Sequence, residues 1–181
     1  IAKLTSDKRS AGQGKLLVLK ERIQSVFKKG APRDVSRILQ RLTIDFPAMR
    51  HGLHEMIHHS FDEFARFIQS IKTPFQGQEE QASPVEKKLR LLDEHMRHGS
   101  WKEDVLPKAE KLEEALLQYQ QSVNSIEAEL KTIDHQALHD QTKGVRLDIQ
   151  ALVLRLGAAI DVLNAFFKRD KEPSKVRWIE S

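Results

Sequence analysis

The sequence contains no cysteine. Disulfides, thiolate-bound zinc, iron-sulfur ligation within the chain and cysteine nucleophiles are therefore excluded. Glycine and proline are scarce, at 8 and 6 of 181 residues, and alternating β-branched runs are almost absent, so little competes with helix. No apolar run approaching the roughly eighteen residues of a membrane span is expected, and no signal-peptide pattern opens the chain. A cytoplasmic location without membrane contact is expected. The chain opens on Ile1 and closes on Trp178, Ile179, Glu180 and Ser181, which reads as a piece of a longer protein.

What the sequence does have is charge, unevenly placed. Residues 1–50 carry twelve Lys or Arg against four Asp or Glu, and the remainder eighteen against twenty-two. A basic N-terminal part on an acidic body suggests a side that faces a polyanion.

Helical periodicity fills most of the rest. A first helix is expected from Lys15 to Lys29, with Gly30 as its stop and Pro32 just beyond. A second begins near Asp34 on an apolar face of Val35, Ile38, Leu39 and Leu42, and Pro47 should end or kink it. A further helical segment runs to Lys72. Residues 73–83 form a polar loop, and 83–91 reads either as a short helix, with Ser83 and Glu86 as a capping box, or as a brief strand at Lys87–Leu91. Ser100 and Glu103 make a second capping box.

Then come two heptad seams. The first is Ala109, Leu112, Leu116, Tyr119, Val123, Ile126, Leu130 and Ile133; the second is Val145, Ile149, Leu152, Leu156, Ala159, Leu163 and Phe166. Joined by the polar stretch 134–144, they should fold back as an antiparallel hairpin over 103–168. The closing VRWIES reads as a returning strand. The expected fold is all-α, a single 181-residue domain with a basic helical part at 1–72, a long antiparallel helical hairpin and at most one or two short strands.

Three motifs bear on chemistry. His54, Glu55 and His58 spell H-E-x-x-H, the pattern in which two histidines one turn apart ligate zinc and the glutamate activates its water. The positions that would supply a third ligand in the extended motif are Phe61 and Phe64. With Leu53 at zero, the stripe of Ile57, Phe61, Phe64, Phe67, Ile68 and Ile71 spans about −40° to +80°, while His54, His58, His51 and Glu55 lie at about 100° to 200°. The motif points sideways and outward, so no metal site is expected beyond adventitious binding by His51, His54 and His58. GQGK at 12–15 has Arg9 and Leu16 where a phosphate-binding loop needs Gly and Ser or Thr. No local nucleophile signature occurs, and Glu127 and Glu129, two apart, point to different helix faces, so no catalytic residue is assigned.

The remaining constellation is cationic. Arg33, Arg37 and Arg41 stand one turn apart at about 0° to 80°, clear of the apolar arc at about 140° to 240°, and Lys28 and Lys29 precede them. Such a row can track a phosphate backbone by charge-assisted contacts.

HSFDEFARFIQSIK, the short KKLRL, the long helices KAEKLEEALLQYQQSVNSIEAEL and VRLDIQALVLRLGAAIDVLNAFF, and the closing KVRWIES occur in that order over about residues 45–180. In layout, and in the terminal VRWIE, this resembles the arch-domain region of DinG-type bacterial helicases, relatives of XPD in superfamily 2. The resemblance implies a helical insertion in an ATP-dependent DNA helicase acting in DNA repair. Its partners would be single-stranded DNA and the parent motor domains. ATP and magnesium would belong to the parent, with no cofactor in this chain. The rival readings are a helical module that docks a protein partner on its hairpin, and a zinc hydrolase.

Overall fold

The seam on the longest helices decides the architecture. In the computed structural model, which describes residues 14–72, 88–91, 93–167 and 177–180, helices α1 (Lys15–Val26), α2 (Arg33–Gln40), α3 (Phe46–Lys72), α4 (Asp93–Arg97), α5 (Leu106–Thr132) and α6 (Gln136–Phe167) follow in order. Two four-residue strands, β1 (Lys88–Leu91) and β2 (Arg177–Glu180), complete an otherwise all-α fold. The expected loop 73–83, the capping box of Ser83 and Glu86 and the hairpin's end at 168 lie outside the described residues.

On α5, Ala109, Leu112, Leu116, Tyr119, Val123, Ile126 and Leu130 are all buried, as the seam requires. On α6 the buried line is Leu138, Thr142, Val145, Ile149, Val153 and Ile160. It leaves the expected heptad after Ile149: Leu152, Leu156, Leu163 and Phe166 are only partly buried and Ala159 is exposed. A straight α-helix drifts about 20° per heptad against a strict 3.5-residue repeat, so the inward position advances by one residue.

The turn between the two helices is also shorter than expected, with residues 134–144 only briefly non-helical. Only Ile133, Asp134 and His135 separate α5 from α6. His135 stands in for a usual cap: its Nδ1 accepts from the Leu138 N–H at 3.2 Å. Thr142 Oγ1 then donates to the Leu138 carbonyl at 2.7 Å, which satisfies a fully buried hydroxyl.

Both prolines near helix starts are absorbed rather than terminating. Arg41–Asp45 and Trp101–Val105 are π-helical, with the Phe46 N–H on the Arg41 carbonyl and the Leu106 N–H on the Trp101 carbonyl. Pro47 and Pro107 follow at the same offset. A proline has no N–H and crowds the carbonyl four residues back; a widened turn placed just ahead of it accommodates both defects. The chain therefore stays helical from Arg33 to Lys72, so of the expected end or kink at Pro47 the end does not occur. At Ser100 the backbone is already helical and the side chain makes no capping bond, so the second expected capping box does not form.

The described residues divide into two compact units, each discontinuous in sequence, lying within 1–54 and 115–160 and within 55–114 and 161–181. In the first, α1 lies antiparallel to α6 through Lys15 to Asp148 at 2.7 Å and Ser25 to Gln141 at 2.8 Å. Phe46 meets Tyr119 edge-on at 5.6 Å. Its core takes Leu16, Leu19 and Ile23 of α1, Val35 and Ile38 of α2, and the inward residues of α5 and α6. Each such side chain contributes about 1.5 to 3 kcal/mol by leaving water. Glu127 and Arg146 tie α5 to α6 by two bonds of 2.9 Å, joined by Gln150 at 2.8 Å, while His139 bridges Arg146 to the Ile133 carbonyl.

The second unit is aromatic. Phe67 and Trp101 are buried with Ile68 and Val105, and Phe64, Phe166 and Phe167 pack around them. Trp101 stacks on Phe167 at 5.8 Å. Lys108 donates to Glu63 at 2.6 Å, and with Arg66 alongside it holds that carboxyl below its ordinary range against the opposing effect of burial. Phe61, placed by periodicity in the buried stripe, is 54% exposed. β1 pairs antiparallel with β2, Leu91 opposite Arg177 and Lys88 opposite Glu180.

By length and composition, α6 is long and apolar enough to cross a membrane. The sequence reading misses this because Arg155 and Asp161 interrupt the run without lowering its average much. Only 17% of that apolar window is buried.

Candidate nucleic-acid interface

The basic segment is built around one tight turn. After α1, the Phe27 N–H reaches the Ile23 carbonyl at 3.2 Å and the Gly30 N–H the Phe27 carbonyl at 3.2 Å. Gly30 has φ 128°, a conformation side-chain-bearing residues rarely adopt, which reverses the chain after two exposed lysines. Pro32, at φ −54°, then starts α2. The turn is anchored by the Phe27 ring, which meets the His135 ring of the α5–α6 turn at 4.8 Å. Lys28 and Lys29 thus stand exposed on a fixed turn beside the hairpin tip.

The arginine row does not share one environment. Arg33 is exposed. The Arg37 side chain is 65% exposed and pairs at 3.6 Å with Glu129 Oε2. Arg41 is turned inward, donating to Glu129 Oε1 at 2.6 Å, to Ser125 Oγ at 2.7 Å and to the Ser122 carbonyl at 3.1 Å, with its guanidinium 6.0 Å from the Phe46 ring centre. Lys28, Lys29, Arg33 and Arg37 therefore present charge to solvent, and Arg41 is committed to α5.

Sequence reasoning places Arg41 on the polar face but misses Glu129. The signal is partial: at about 80° Arg41 is the member of the row nearest the apolar arc. Which helix would face it, and with what charge, is a tertiary fact that one helix's periodicity does not carry.

The H-E-x-x-H side chains of His54, Glu55 and His58 are exposed on α3, with Leu53 buried beside them. Among the described residues no three His, Asp or Glu side chains gather in a way that could hold a metal ion. Of GQGK, Gly14 precedes α1 in extended conformation and makes no side-chain cap.

Comparison with profiles of known protein families, with curated proteins and with solved structures finds no match for this chain.

Proposed function

We propose that this chain is the non-catalytic helical arch of an ATP-dependent DNA helicase of the DinG and XPD type, and that its exposed cations help enclose single-stranded DNA against the motor. The observation that carries the reading is the anchored turn with its neighbouring helix: Lys28, Lys29, Arg33 and Arg37 all reach solvent from one stretch of 10 residues. A second observation supports an insertion. β1 pairs with β2, so a two-stranded stem brackets the helical segment 93–167, while the cations of α1, its turn and α2 precede the stem in sequence. ATP and magnesium belong to the parent's motor segments in this reading, and the role of this chain is electrostatic and steric.

The test is single-strand affinity against salt in the parent protein. Replacing Lys28, Lys29 and Arg33 together with Ala should lower the magnitude of the salt slope by about 0.7 for each phosphate that the variant no longer neutralises. Preference among base sequences should not change, because phosphates carry no base code. An unchanged slope in a folded triple variant rejects the interface.

The alternative of a protein-docking helical module is favoured by a different observation, the uncovered leucines of α6. Leu147 is 58% and Leu154 74% exposed.

A further inference from the structure

Those leucines are part of a regular face. On α6, Gly144, Leu147, Ala151, Leu154 and Ala158 are all exposed, and at 100° per residue they fall within about 80° of one another. The stripe is roughly 21 Å long. It alternates large with small, Gly144, Ala151 and Ala158 recurring every seventh residue between the two leucines. A side chain added at Gly144 would meet nothing within 4 Å.

We infer that this face of α6 pairs antiparallel with the same face of a second copy of the chain, Leu147 seated over Ala158 and Leu154 over Ala151 of the other copy. Small residues opposite leucines let two helices approach to the low end of the usual 8–10 Å separation and fill the seam without clash. The choice of occupant comes from charge. Asp148 and Arg155 lie along one edge of the stripe, seven residues apart. In this antiparallel register, with the two-fold axis between residues 152 and 153, Asp148 of each copy lies on the same edge as Arg155 of the other and about 3 Å from level with it along the helix, within side-chain reach, giving two equivalent ion pairs. Asp148 keeps capacity for this: its side chain is 53% exposed although Lys15 holds one oxygen. A lipid surface would gain nothing from this arrangement of opposite charges, and an unrelated partner helix would not be matched twice by it. The seam is small compared with stable interfaces, so the dimer is weak and concentration-dependent. The inference does not depend on the DNA reading.

Sedimentation equilibrium of the 181-residue chain from micromolar to millimolar concentration should show a monomer–dimer equilibrium. Leu154→Glu should raise the dimer dissociation constant at least about tenfold, with the helical circular-dichroism signal and melting temperature confirming the fold. Arg155→Asp should weaken the dimer, and Arg155→Asp combined with Asp148→Arg should restore it; Lys15→Ala measures the effect of removing the Lys15 pair by itself. Because the chain has no cysteine, a mixture of Leu147→Cys and Ala158→Cys chains should form a mixed disulfide faster than either forms one alone. A chain that stays monomeric, or a dimer indifferent to Leu154→Glu, overturns the proposal. Charge reversals that do not rescue each other, together with no preferred mixed disulfide, overturn the antiparallel register.

Discussion

Arg33 and Arg41 are two helical turns apart and belong to the same row in the sequence, yet their energetics are opposite. Arg33 faces water, and its replacement by Ala should change stability by no more than about 0.5 kcal/mol. Arg41 makes three hydrogen bonds to α5 around the carboxylate of Glu129. Arg41→Ala should cost about 1.5 to 3 kcal/mol in chemical denaturation, the range for bonds to charged groups, while leaving any single-strand salt slope unaltered. Equal stability of the two variants would contradict that division. Tyr119 offers a second contrast at this scale. It is fully buried, and its hydroxyl has no hydrogen-bond partner among the described residues. Burial pushes its phenol far above the ordinary tyrosine range, with Arg50 pulling slightly back. The fold thus holds the neutral phenol, whereas the unfolded chain releases its proton near about pH 10. The contribution of Tyr119 is complete below that pH and is lost as pH rises above it. Tyr119→Phe should be neutral or stabilising at pH 7 and should show a smaller stability loss between pH 9 and 11 than the parent chain; an equal loss would mean that the phenol does not titrate differently on folding.

For the helices, the sequence carried most of what packing required, and its failures have local causes. Seven of the eight expected α5 seam positions, Ala109 to Leu130, are buried because they agree with a single phase on one helix, while the eighth, Ile133, falls in the turn beyond α5 and is only half-buried. The α6 seam was legible to Ile149 and then slipped by one residue, since apolar residues at 152, 153, 156 and 160 satisfy both a heptad and a 3.6-residue repeat. Leu116→Ala and Ile149→Ala should each cost about 2 to 5 kcal/mol, whereas Leu152→Ala, at a partly buried position, should cost clearly less than Ile149→Ala. The reverse order would restore the strict heptad. The π segments were not legible, because one extra residue in a turn leaves no mark in hydrophobicity; only the prolines two residues beyond them hint at a need for slack. The cationic turn was legible as composition, and its anchoring by Phe27 on His135 was not, because the partners are far apart in the chain.

Across the whole chain, the pairing of Lys88–Leu91 with Arg177–Glu180 has a kinetic meaning. Closing that stem from an open chain costs loop entropy that grows with the logarithm of the intervening length. The turn at Ile133–His135 is the opposite case: it joins α5 to α6 locally, and its contacts accumulate outward from the tip through Glu127 with Arg146 and Gln120 with the Val153 carbonyl. Zipping from the tip shortens the loop that the stem must close, so the expected order of assembly is hairpin first and stem last. Leu130→Ala, near the tip, should therefore slow folding in stopped-flow measurements. Ile179→Pro, which removes a backbone donor from the stem, should leave the folding rate unchanged and accelerate unfolding. If the stem forms last, its opening governs unfolding, and its four paired positions set how readily the two ends of the helical segment 93–167 come apart.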